Sequence, residues 1–274
     1  MATDVPSIKL ASGYDMPLVG FGMWKVRNET CAAQSMRWSK ARLENEAWGI
    51  GYLDLFLIHF PIAPEFIPFD KIRHPCFWTD KEQTQVTPLV KVPIRETWQM
   101  LEELVQTKNP NGVVRSVGVS EFHTQLIYDV LSYNKLPLST LQIEHHPYLT
   151  QPELIAIAQE NGIAVTGYST FGPQSLLELG NAAAQGVKPL FETDVVKSIA
   201  EKHGKSPGQV LLRGCKQRNI IVIPKSNSVD RLKQNLSLFD FNLSEYQIKQ
   251  ISSLDRGLRF NVPNTLQRPI RTFT

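Results

Sequence analysis

The sequence predicts an α/β fold, a (β/α) barrel around a parallel sheet, on three observations. Short apolar runs recur at residues 18–21, 53–58, 113–119, 141–143, 163–168 and 220–223. Runs that are apolar on both faces suit parallel strands buried on both sides. Segments with helical spacing of apolar residues lie between them, and this strand–helix alternation is the pattern of a parallel sheet flanked by helices. Finally, no G-x-G-x-x-G follows any of the runs, so the doubly wound alternative lacks its phosphate-binding fingerprint. There is no tandem repeat and no composition break, so residues 1–274 are read as one domain.

The elements follow in order. Residues 7–10 and 16–20 form a hairpin, with Ser12, Gly13, Tyr14 and Asp15 as turn chemistry between them. Residues 93–106 carry Trp98, Leu101, Leu104 and Val105 at helical spacing behind Pro93, a first-turn proline. Residues 151–160 start the same way with Pro152. Residues 194–203 and 207–217 are a helical pair broken at Gly204. Residues 228–236 follow the last apolar run with Ser228 as N-cap, and 244–254 form a final helix before Gly257.

Composition narrows the function classes. The chain has 274 residues, 42% hydrophobic and 20% charged, which is globular rather than disordered. Net charge is only +3 and no dense Lys/Arg run occurs, which argues against a nucleic-acid partner. Arg256, Arg259, Arg268 and Arg271 are spaced along the tail and read as solvated surface. No run approaches the ~18 apolar residues of a membrane span, and the start carries no apolar core of signal-peptide length. Cys31, Cys76 and Cys215 are sparse and odd in number, which suits a reducing, cytoplasmic setting. His145 and His146 are adjacent and would point to opposite faces of a strand, so no metal site is expected.

Six ordered segments carry a resemblance. They are Gly20-Phe21-Gly22-Met23-Trp24, the stretch from Tyr52 to Pro61 containing Leu57-Ile58-His59-Phe60-Pro61, and Ser116-Val117-Gly118-Val119-Ser120. They continue with Leu141-Gln142-Ile143-Glu144-His145-His146-Pro147-Tyr148, Gly167-Tyr168-Ser169 and Ile223-Pro224-Lys225-Ser226-Asn227. Together they resemble the aldo-keto reductases, over roughly residues 7 to 261. Phe66-Ile67-Pro68 and Gly257-Leu258-Arg259-Phe260-Asn261 resemble the xylose reductases within that family. The resemblance implies a (β/α)8 TIM-barrel type fold with an N-terminal hairpin and active residues at the carboxyl ends of the strands. It implies NAD(P)H-dependent reduction of aldoses such as D-xylose, and of other aldehydes, by a monomer or homodimer.

Against that pattern the chain is short. The run ending near Gly22 resembles the family's first strand, and the one ending at His59 its fourth. The two missing βα units need about 60 residues at about 30 each. The seventeen residues 35–51 show no strand pattern, so the barrel domain is expected to be incomplete there. The family's catalytic group is Asp, Tyr, Lys and His, and only the His has a counterpart, His59. Lys40, Glu44 and Glu46 carry similar charges but sit in no matching motif. The consequence is chemical. A phenol with a pKa near 10 is a poor proton donor at neutral pH unless a nearby cation lowers it. Losing such a donor removes about 10²–10⁴-fold of rate. The alternative expectation is therefore a catalytically impaired or inactive remnant that binds the dinucleotide.

The later half keeps the cofactor pattern. Lys225, Ser226 and Asn227 follow a strand and precede a helix, where backbone N–H groups and the helix dipole favour a phosphate. The resemblance assigns Lys225, Ser226 and Arg231 to the adenosine 2′-phosphate, which implies NADPH with NADH as the alternative. Asn227 and Asn235 would contact ribose or adenine. Tyr168 would stack on the nicotinamide beside Ser169, and Ser120 and Gln142 would hydrogen-bond its carboxamide. Trp24 and Asn261 resemble contacts of the sugar pocket. One departure stands out: the family's Ser-Asn after the fifth strand is Ser120-Glu121 here, and an ionised Glu cannot donate as Asn does.

Overall fold

The structure, a computed structural model, describes residues 5–23, 51–68, 78–80, 82, 84–106, 112–178, 180 and 184–261. The hairpin forms as expected: β1 (Ser7–Lys9) pairs antiparallel with β2 (Asp15–Pro17), with Ile8 opposite Met16. The rest alternates. β3 (Leu53–Ile58) is followed by α1 (Ile94–Glu103), β4 (Val114–Ser120) and α2 (Thr124–Tyr133). Then come β5 (Leu138–Glu144), α3 (Pro152–Glu160), β6 (Ala164–Tyr168) and α4 (Gln174–Glu178). The chain continues through α5 (Asp194–His203), α6 (Pro207–Gln217), β7 (Ile220–Val222), α7 (Val229–Leu236) and α8 (Glu245–Ser252).

The five strands β3-β4-β5-β6-β7 form one parallel sheet in sequence order. The run at 18–21 joins this sheet without becoming a named strand. Val19 bridges Val222 in parallel, Gly20 N–H donates to Val222 O at 2.8 Å, and Gly22 N–H donates to Pro224 O at 3.1 Å. The approach is close enough that a Cβ on Gly22 would meet the Ile223 carbonyl at 2.5 Å, so glycine is required there. The hydrogen-bonded arc thus runs from β3 to the Val19 segment. Among the described residues, β3 pairs only with β4, and its far edge carries no strand.

Burial follows that arc. β4 to β7 are buried almost throughout, as both-face apolar runs predict, whereas β3 is only half-buried along its length. The main core gathers Trp98, Leu101, Val117, Val119, Ile127, Leu141, Ile143, Val165, Leu212 and Val222 between the sheet and α1, α2, α3 and α6. Trp98 is fully buried, and its Nε1–H donates to Glu102 at 2.8 Å. The same Glu102 oxygen accepts the Lys135 and Leu136 amides, which ties α1 to the entry of β5. Helix ends obey the capping signals. Ser206 with Gln209, and Ser244 with Gln247, form complete capping boxes, while Gly204 closes α5 in the left-handed conformation.

The sequence reading overlooked α2 and α4. Of the tail arginines expected on the solvated surface, Arg256 is exposed, its guanidinium stacked on Tyr148 at 4.0 Å, whereas the Arg259 side chain is 17% exposed and meets Gln151 and Glu121. Arg268 and Arg271 lie outside the described residues. No helix among the described residues is long and apolar enough to cross a membrane.

Candidate functional site

Parallel strands in one sheet end on one side, and the side chains at their carboxyl ends therefore converge. His59 is the first residue beyond β3. The register pairs Ile58 with Val119 and then Ser120 with Gln142, which brings His59, Ser120 and Gln142 onto neighbouring strand ends. Glu144 pairs with Tyr168 one strand further on. Lys225 and Ser226 follow β7, the strand next to that of Tyr168 in the arc. Most of the predicted residues are therefore collected at one end of the sheet, as a barrel places its reacting groups.

Ser120 is 1% exposed, and its Oγ has no hydrogen-bond partner among the described residues. A buried hydroxyl left unpaired costs about 1–3 kcal/mol, so this orphan would gain from a hydrogen-bonding ligand atom. Gln142 is half-buried beside it. His59 is exposed at the mouth, its ring 4.8 Å from that of Phe60. The surrounding protein still desolvates the imidazole enough to hold its pKa below the ordinary value, favouring the neutral ring.

Around Tyr168 lies a buried polar cluster that the sequence reading did not assemble. The Tyr168 hydroxyl accepts from Asn261 Nδ2 at 2.6 Å and faces the Glu121 carboxyl. Burial, with the Glu121 and Glu144 carboxylates nearby, pushes the Tyr168 phenol well above its usual range. Glu144 is fully buried. Its two carboxylate oxygens accept the Phe260 and Asn261 amides at 2.9 Å, and Oε1 also meets His146 Nε2 at 2.9 Å. The chain after α8 is thus strapped across the strand ends by one carboxylate. Glu121, the departure noted above, is 2% exposed and takes a left-handed φ of 61°. Its Oε1 accepts the Glu144 amide at 3.3 Å, and its Oε2 lies 3.5 Å from Arg259. Burial pushes its pKa up to about 7, although Tyr168 and Arg259 pull the other way. Ser169 is likewise left-handed, at a φ of 53°. Two such non-glycine residues, one just beyond β4 and one just beyond β6, mark strain held at this end of the sheet.

His145 faces away from this cluster. Its Nδ1 meets Cys215 at 3.5 Å and its Nε2 meets Arg218 at 3.1 Å, and burial drives its pKa down to about 3. At the other end of the site, Ser226 is buried, and its Oγ accepts the Ser228 amide at 3.1 Å, ordering the turn into α7. Ser228 caps the helix by accepting from the Arg231 amide. Lys225 is half-buried, Asn227 and Arg231 are exposed, and Asn235 is buried on α7. Trp24, Lys40, Glu44 and Glu46 lie outside the described residues, as does all but the last residue of the segment 35–51.

Residues 19–256 match the model of the aldo/keto reductase family. This chain belongs to that family. It is 45% identical to an NAD(P)H-dependent pentose reductase of Pyricularia oryzae, over 97% of this chain and 98% of the relative. It is 43% identical to an NAD(P)H-dependent D-xylose reductase of Aspergillus niger, over 94% and 96% respectively. Among solved structures, the aldose reductase from Schistosoma japonicum superposes with a TM-score of 0.74 at 25% identity, covering 95% of this chain and 96% of that one. An aldo-keto reductase complexed with NADPH superposes with a TM-score of 0.77 at 21% identity, covering 97% and 92%. The fold is accordingly of the (β/α)8 type, in agreement with the alternation read from the sequence.

Proposed function

We propose that this chain is an NAD(P)H-dependent reductase of aldoses such as D-xylose and of other aldehydes, with NADPH as its dinucleotide and NADH as the alternative. The observation that carries the reading is the buried, unpartnered Ser120 hydroxyl on the same strand ends as Gln142 and Tyr168. Such an orphan fits the carboxamide of a nicotinamide, with Gln142 as the second polar contact and the Tyr168 face as a flat apolar wall. Ser169 lines the same end. Lys225, Ser226 and Arg231, at the start of α7, supply cationic and hydroxyl donors for a 2′-phosphate. By resemblance, Asn227 and Asn235 would contact the ribose or adenine. When bound, the reduced dinucleotide supplies a hydride. His59, held neutral, offers one N–H to orient a carbonyl oxygen at the mouth. Asn261 and Trp24 are assigned to the sugar pocket. The names and 43–45% identities of the fungal pentose and xylose reductases support the substrate class. The sparse cysteines support a cytoplasmic setting for a monomer or homodimer.

A second reading concerns rate. The P. oryzae relative aligns over 323 positions with 97% of this 274-residue chain. Since 97% of 274 is about 266, about 57 positions hold a residue in the relative and none here. That is the size of two βα units at about 30 residues each, and the unpartnered edge of β3 among the described residues favours placing the gap at 35–51. A chain incomplete there would bind the dinucleotide but lack the Tyr, Lys and Asp that deliver the proton, lowering turnover by about 10²–10⁴-fold. Mixing purified protein with NADPH, and then with D-xylose, tests both. Saturable binding with oxidation of NADPH by xylose supports the main reading. Binding with only trace oxidation supports the incomplete chain, and no binding overturns the cofactor site.

A further inference from the structure

Glu121 is buried against the Tyr168 hydroxyl, next in the chain to Ser120 with its unpartnered hydroxyl. The charges facing it come from each element around it. Tyr168 at the end of β6 gives it a hydroxyl, and Glu144 at the end of β5 gives it a backbone amide but also a second carboxyl, itself paired with His146. Arg259, beyond α8, stands 3.5 Å away and is shared with Gln151. Among the described residues one cation, Arg259, faces these two carboxyls, and both carboxyls are buried, which limits screening by water. The left-handed backbone at Glu121 holds the group in place.

We propose that Glu121 sets which redox form of the dinucleotide this chain prefers, its carboxylate favouring the oxidised, positively charged nicotinamide over the neutral reduced ring. The inference rests on the dinucleotide site proposed above. A nicotinamide against the Tyr168 face would stand across that ring from the carboxyl its hydroxyl meets, and charges about 7 Å apart in protein still change an equilibrium by about tenfold or more. Because Glu121 titrates near neutrality, the preference is linked to protons. Binding of the oxidised form to protonated Glu121 favours release of that proton to solvent, and binding of the reduced form releases none from Glu121. The 2′-phosphate also titrates near pH 6, but both redox forms carry it, so the ratio of their affinities cancels its contribution.

The test is the Kd of NADP+ and of NADPH between pH 6 and 8.5, for the intact chain and for Glu121→Gln. The expected result is a ratio Kd(NADP+)/Kd(NADPH) that rises about tenfold as pH falls from 8 to 6 in the intact chain, and that stays nearly flat in Glu121→Gln. What slope the variant keeps belongs to His59, whose protonation acts in the same direction. Should Glu121→Gln fail to fold, calorimetry of the intact chain in two buffers of different ionisation enthalpy gives the same answer: a larger proton fraction released with NADP+ than with NADPH at about pH 6.5, the 2′-phosphate contributing equally to both. Both dinucleotides binding with a pH-independent ratio and equal proton release would overturn the role of Glu121 and leave the cofactor site standing. Absence of binding by either form at any pH would overturn both.

Discussion

The two sides of this sheet differ in how completely they are built. From β4 to β7 every strand has neighbours, both faces are buried, and the strand ends carry a dense polar cluster tied to the chain after α8. At β3 the strand is half-buried, and its outer edge has no strand beside it among the described residues. The proposed dinucleotide contacts, Ser120, Gln142, Tyr168 and Lys225, lie on the first side. The proposed substrate contact, His59, stands exposed on the second. On this proposal, holding a cofactor and protonating an alkoxide are separable properties, lodged in different parts of one sheet.

The sharpest way to break the comparison is at Glu144. Truncation by Glu144→Ala leaves the Phe260 and Asn261 amides and the His146 ring without their buried acceptor. It should cost about 4 kcal/mol of stability, read as a lowered urea midpoint. A cost below about 1 kcal/mol would mean that the strap is not held by this carboxylate.

Paired core truncations compare the two sides directly. Leu141, fully buried in β5, should lose about 3 kcal/mol as Leu141→Ala. Leu57, half-buried in β3, should lose only about 1 kcal/mol as Leu57→Ala. Equal losses in denaturant titrations would show that β3 is as well packed as β5.

Acid stability sharpens the account of the buried charges. His145 is held near a pKa of 3 in the fold, against 6.5 unfolded, so the unfolded chain binds more protons and stability falls as pH drops below 6.5. Glu121 acts oppositely. Its folded pKa of about 7 exceeds the unfolded 4.5, so the fold binds the extra proton and gains stability as pH falls from 7 to 4.5. The two offset each other in that window. Removing one through Glu121→Gln should expose the other, with about 2 kcal/mol lost between pH 6.5 and 4.5 that the unaltered chain does not lose. Identical pH profiles for the two proteins would contradict the burial of one of these groups.

A smaller effect is expected at the phosphate end. Lys225→Met should weaken NADPH binding about tenfold while leaving NADH nearly unchanged, since a charge-assisted contact to the 2′-phosphate is lost from one dinucleotide only. Equal weakening of both would move the 2′-phosphate away from Lys225.

Local rules carried much of this structure into the sequence. α5 and α6 lie where the apolar spacing, Gly204 and Ser206-Pro207 place them, because caps and periodicity are written within a few residues. α2 was illegible because His123 at its N-cap position makes no side-chain cap and no proline announces it. Ser120, Gln142, Tyr168 and Lys225 were legible from motifs at strand ends, and the structure does place them at one end of the sheet. Glu144 stands in a motif that shows no role for it, because its partners Phe260 and Asn261 lie 116 and 117 residues away. Arg259 was read as solvated for the same reason: a charge in a tail reveals nothing of a carboxyl on a distant strand until the chain has folded. Glu121 was recognised as a departure, but only packing shows that it is buried under Tyr168.

The most direct test of the central claim is a fluorescence titration of the purified chain with NADPH, without any substrate. The complete side of the sheet predicts a saturable one-site curve with a Kd in the micromolar range, abolished or strongly weakened when Ser120 and Lys225 are replaced together. A chain that is folded by circular dichroism, yet shows no binding at millimolar NADPH, would contradict it.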